Sequence, residues 1–95
     1  MPSYRLTLTV GQIRGAIAPP DVQPEVGSAV ASHATVEANE IKISNGAPQL
    51  VIRYTATDPA HAREVVELSL AQIDAVIEVV SFRVTSRQGT RWLPI

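Results

Sequence analysis

One stretch restricts the possible folds of this chain more than any other. From Asp58 to Ile77 the sequence opens on Asp-Pro, continues in amphipathic pattern, and passes straight into a β-branched run. Thr57 or Asp58 supplies a side-chain oxygen for the free N–H groups of a first helical turn. Pro59 suits the first helical position, where no N–H is needed. Spaced at about 100° per residue, Ala62, Val65, Val66, Ser69, Leu70, Ile73, Val76 and Ile77 form one stripe. Arg63, Glu64, Glu67, Asp74 and Glu78 fall on the other side, and Leu68, Ala71 and Ala75 lie among them as a small apolar strip. No Gly or Asn marks the helix end, which leaves the boundary open between Asp74 and Val80. A helix with one apolar stripe must cover something, and the surface available is the set of strands around it.

Those strands are read from period-two alternation. Tyr4, Leu6, Leu8 and Val10 alternate with Arg5, Thr7 and Thr9 in a first strand, with Gly11 and Gly15 punctuating its end and Ile13 extending it irregularly. Thr35–Ser44 is a second strand whose parity slips near Asn39 and Glu40, as a bulge or a twisting edge requires. Asn45-Gly46 marks a turn, which Ala47-Pro48 lengthens beyond the minimal hairpin. Gln49–Thr57 sets Leu50, Ile52, Tyr54 and Ala56 against Val51, Arg53, Thr55 and Thr57. After the helix, Val79–Arg87 sets Val80, Phe82 and Val84 against Ser81, Arg83, Thr85 and Arg87. Two segments stay open. Pro19, Pro20 and Pro24 preclude regular pairing; beyond them Val22, Val26, Ala29, Val30 and His33 have helical spacing, while Val30, Ala34, Val36 and Ala38 share one strand parity. A short helix over 22–33 is the preferred reading. Residues 91–95 read equally as a short edge strand or a packed tail.

This order predicts a single α+β domain over residues 1–95. Its expected form is ferredoxin-like βαββαβ: a four-stranded antiparallel sheet in spatial order 4-1-3-2, one face covered by helices. If residues 22–33 are not helical, the alternative is a β-meander with a single helix between the third and fourth strands. Either way the uncovered face presents Arg5, Arg53, Arg83 and Arg87 among threonines. Tyr4, Tyr54 and Phe82 share the apolar parity, so no base-stacking surface is expected there.

Composition excludes several classes of function. An apolar fraction of 45% rules out a disordered chain. With no cysteine there is neither a disulfide framework nor a thiolate metal site. The apolar runs are too short for a membrane span, and Met-Pro-Ser-Tyr-Arg enters a strand without a signal-like segment, so a cytoplasmic location is expected. A net charge of −1 argues against strong non-specific nucleic-acid affinity. His33 and His61 lack spaced companion ligands, so no metal site is read. Glu37 with Glu40, and Glu64 with Glu67, read as solvated charges. Gly11–Gly15 lacks the spacing of a phosphate loop, and no serine sits in a nucleophile elbow. No catalytic residue and no cofactor is nominated. The remaining signal is apolar surface without a home: Leu68, Ala71 and Ala75 on the helix, with Trp92 and Leu93 at the terminus. The expectation is a self-associating protein-interaction module without catalytic activity, a homo-oligomer or a binder of a protein partner. The alternative is weak single-stranded nucleic-acid binding on the Arg/Thr face.

Overall fold

Alternation at the N-terminus produces the central strand of the molecule. In the computed structural model, which describes residues 1–95, β1 (Ser3–Ile13) lies between β3 (Ala47–Thr55) and β4 (Ile77–Gln88), antiparallel to both. β2 (Val36–Ser44) flanks β3, and β5 (Arg91–Pro94) flanks β4, giving the order β2-β3-β1-β4-β5. Two helices, α1 (Pro19–Ala31) and α2 (Pro59–Ile73), complete the α+β fold. No helix is long and apolar enough to cross a membrane.

The four-stranded ferredoxin-like sheet expected from the sequence is therefore corrected to five strands. Gly89, at φ +64°, lets the chain reverse between Gln88 and Arg91. The tail then pairs along Thr85–Gln88 rather than packing as a loose end. The meander alternative fails as well, because residues 19–31 are helical. Two of the prolines read as barriers instead start this helix. Pro19 and Pro20 occupy its first two positions, where the missing N–H groups have no intrahelical role.

Several local readings shift by a residue or two. Asn45 (φ 52°) and Gly46 (φ 77°) form a two-residue turn directly between Ser44 and Ala47, so the hairpin is minimal after all. The register slip in β2 falls at Glu37, between Val36 and Ala38, earlier than the hydropathy change suggested. Val80 is not on the covered face of β4. Val10 pairs with Val79 and Thr9 with Ser81, so Val80 is the extra residue of a bulge and is 62% exposed. Ile77, placed on the helix stripe by periodicity, is instead the first residue of β4 and is fully buried.

The core sits between the sheet and the two helices. Tyr4, Leu6, Leu8, Leu50, Ile52 and Tyr54 face Val22, Val26, Ala29 and Val30 of α1 and Ala62, Val65, Val66 and Ile73 of α2. Burying each of the larger aliphatic side chains contributes roughly 1.5–3 kcal/mol. Polar devices fix the layers. The Tyr54 hydroxyl donates to the Ala62 carbonyl at 2.9 Å, tying β3 to α2. Burial pushes the Tyr54 phenol well above its ordinary pKa, and the neighbouring Tyr4 adds to this. The Asn39 amide donates to the Gln23 carbonyl at 3.0 Å, and the Gln23 amide donates to the Asn39 carbonyl at 2.8 Å. This pair joins α1 to β2 across Gly27, where any side chain would collide with the Asn39 amide. A glycine, weak as a helix former, is the residue that lets strand and helix approach.

Asp58 is the N-cap of α2. Its Oδ1 accepts from the His61 N–H at 2.8 Å, and the His61 Nδ1 accepts from the Thr57 N–H at 3.0 Å. Asp58→Ala is expected to lower stability by about 1 kcal/mol, read as a lower urea midpoint with an unchanged slope.

Candidate functional site

Besides the outer edge of β2, where Ile41 and Ile43 are exposed, two surfaces of the sheet are left without a cover, and their chemistry differs. The first is the face opposite the helices. Arg5 of β1 lies in register with Arg53 of β3 and Thr85 of β4, and Thr7 with Val51 and Arg83. Two guanidinium groups directly across an antiparallel pair repel one another. The structure relieves this in two ways. Glu37, turned by the β2 bulge, holds Arg53 at 3.3 Å and accepts from the Ser3 hydroxyl at 2.7 Å. Trp92 lies across β4 with its ring 4.0 Å from the Arg5 guanidinium carbon and 5.6 Å from that of Arg53. Contacts of this kind contribute about 0.5–2 kcal/mol.

Trp92 thus alters the expected character of this face. Sequence parity left it without an aromatic residue, yet Trp92 lies in register with Arg87 and shares its side of the sheet. The signal was present in the two residues, Gly89 and Thr90, that separate Gln88 from Arg91. Once they are read as a tight turn, Trp92 must fall opposite Arg87. Around Arg5, Arg83, Lys42 and Trp92 the surface sinks into a hollow of about 240 Å³ with Thr7 and Val51 at its base. Thr7 and Val51 are almost inaccessible although they belong to the open face.

No protein-family model matches this chain, and no curated protein matches it. Its function is therefore read from its own geometry.

The second uncovered surface is the flank beside β4. β5 pairs only with Thr85–Gln88, and on that same side the Val84 carbonyl accepts from the Ile95 N–H at 3.2 Å. From Ile77 to Arg83 the outer edge of β4 has no strand partner. Phe82 points to the helix side, in register with the buried Leu8, but α2 does not reach over it and it stays 51% exposed. It lines an apolar groove of about 400 Å³ with Val66, Leu70, Val84, Pro94 and Ile95. Sequence reasoning placed Phe82 in the core by parity. What it missed is that a half-covered strand end leaves an inward-facing residue at the rim.

The residues nominated from the sequence do not form one surface. Leu68 and Ala71 are exposed on α2, with Leu68 46% accessible, while Ala75, expected on the same helix strip, lies exposed in the turn after the helix ends at Ile73. Trp92 is on the opposite side of the sheet from that helix. Leu93 lies in register with Ser86 on the edge strand and is exposed. Among the nominated arginines, Arg5 and Arg83 line the hollow and Arg53 adjoins it through Trp92 and Glu37. Arg87 turns away and donates to the Gly89 carbonyl at 3.0 Å. His61 is held within the N-cap turn of α2, and His33 follows the C-terminal end of α1.

Proposed function

We propose that this protein acts by self-association, as an interaction module rather than a catalyst, and that the β4 flank is its contact surface. The carrying observation is the coincidence of an unpaired strand edge, Ile77–Arg83, with the exposed Phe82 and the apolar groove beside it. An open edge offers main-chain donors and acceptors to a second strand. An adjoining apolar groove offers the buried centre that a stable interface needs. Pairing two copies of β4 about a two-fold axis satisfies both requirements with one surface. It also covers Val80, which is 62% exposed at the bulge.

Light scattering coupled to size exclusion tests this reading. The wild-type chain is expected to show a concentration-dependent mass above that of the 10.2 kDa monomer. Phe82→Glu and Val80→Lys place charge on the edge without touching the core, and each is expected to return the monomer with an unchanged circular dichroism spectrum. Leu68→Glu, on the outer face of α2, is expected to leave the mass unaltered. Monomeric wild type across the full concentration range would refute self-association. A mass that falls with Leu68→Glu and not with Phe82→Glu would move the contact to α2.

A further inference from the structure

The hollow lies on the open sheet face, on the other side of the sheet from Phe82, and shares only Arg83 and Pro94 with the groove of the β4 flank. Arg5, Lys42 and Arg83 converge on it, with the hydroxyls of Thr7 and Thr85 and the ring of Trp92. None of the three cations is held in an ion pair. Of the carboxylates on this face, Glu37 is engaged by Arg53 and Ser3. Glu40, in register with Val51, forms no ion pair with any of the three. Arg5 is fixed against Trp92 at 4.0 Å, so one of the three donors is already oriented. Three unneutralised positive charges around one concavity repel each other, and an anion seated among them removes that repulsion.

We propose that this hollow binds the phosphoryl group of a small ligand. A single carboxylate would leave two of the three cations uncompensated, whereas a phosphoryl group carries up to two negative charges and three acceptor oxygens. Guanidinium groups match its geometry with paired N–H donors, an ammonium supplies a mobile third contact, and threonine hydroxyls complete the set. At about 240 Å³ the hollow is smaller than the roughly 300–1,000 Å³ typical of whole-ligand pockets. It suits one phosphoryl group at the end of a ligand rather than a run of nucleotides.

Trp92 is the only tryptophan, so its emission reports on the site directly. The full-length chain at low ionic strength is titrated with inorganic phosphate and then pyrophosphate, against sodium chloride at matched ionic strength. The expected result is a saturable change in Trp92 emission with both phosphates and none with chloride. Arg83→Gln, at an exposed position, is expected to weaken pyrophosphate binding about tenfold, as loss of one charge-assisted contact implies. Arg87→Gln, on the same strand and face but outside the hollow, is expected to bind as wild type. The proposal is overturned by the absence of a saturable response, by an equal response to chloride, or by equal weakening in Arg83→Gln and Arg87→Gln. A short thymidine oligonucleotide that binds while phosphate and pyrophosphate do not would also overturn it, and would assign the face to single-stranded nucleic acid. Mass measurement in the same samples keeps this test independent of self-association.

Discussion

Tyr54→Ala is expected to lower the unfolding free energy by about 3–5 kcal/mol. Tyr54 is fully buried at the centre of the core, its ring centroid lies 6.0 Å from that of Tyr4, and its hydroxyl holds the Ala62 carbonyl of α2. Truncation removes the largest fully buried side chain and the only side-chain hydrogen bond from the sheet to α2. A domain of this size has roughly 5–15 kcal/mol in hand, so a large share of its stability goes. Tyr54→Phe isolates the hydroxyl and is expected to cost about 1 kcal/mol near neutral pH. The two proteins should then diverge with pH. The folded state holds the Tyr54 phenol protonated above its ordinary range because the site is buried. The unfolded chain releases that proton near pH 10. The stabilisation is therefore complete below about pH 10 and is lost as pH rises from there toward the raised folded-state value. Urea midpoints at increasing pH should show wild type losing its advantage over Tyr54→Phe above about pH 10. A constant difference across that range would contradict burial of the phenol.

Val26→Asp is expected to have an effect of similar size. Val26 is fully buried in α1, within the same core cluster as Leu50, Ile52 and Tyr54. A carboxylate there has no cation to pair with and no route to water, which costs on the order of 3–5 kcal/mol. Far-UV circular dichroism and urea unfolding should show a chain that is largely unfolded or close to it. Pro24→Asp, two residues earlier on the exposed side of the same helix, should be tolerated. A mild effect of Val26→Asp would mean that α1 is not the cover of β3 and β2 that the structure describes.

Much of the architecture was legible because burial leaves a period in the sequence. The alternation of Tyr4, Leu6 and Leu8, and of Leu50, Ile52 and Tyr54, marks β1 and β3 because both are central strands with one covered face. The Asp58-Pro59 opening located the start of α2, since a cap is a local chemical requirement, while its end at Ile73, with no terminating Gly or Asn, was not legible. Where the physics is not local, the reading failed. Pro19 and Pro20 look like breakers by composition, and only their position at a helix start makes them compatible with it. β5 is four residues long, too short for a period, so an edge strand and a packed tail stayed equal readings of residues 91–95, and the placement of Trp92 on the arginine face went unread. Phe82 and Val80 have the composition of core residues. Their exposure depends on where α2 stops and where a bulge falls, and neither is written in hydropathy. The arginines of the open face were identified individually, but the hollow takes its lining from all five strands, including Lys42 of β2 and Trp92 of β5, which no single strand's parity brings together.

The central claim is that β4 presents an edge that a second copy occupies. Hydrogen exchange followed residue by residue at two protein concentrations tests it most directly. Backbone amides on the outer edge of Ile77–Arg83 are expected to be protected at high concentration and to lose that protection on dilution, while the amides of β1 and β3 stay protected throughout. In Phe82→Glu the concentration dependence should vanish. Edge amides of β4 that exchange freely at every concentration would contradict the account, whatever mass the protein shows.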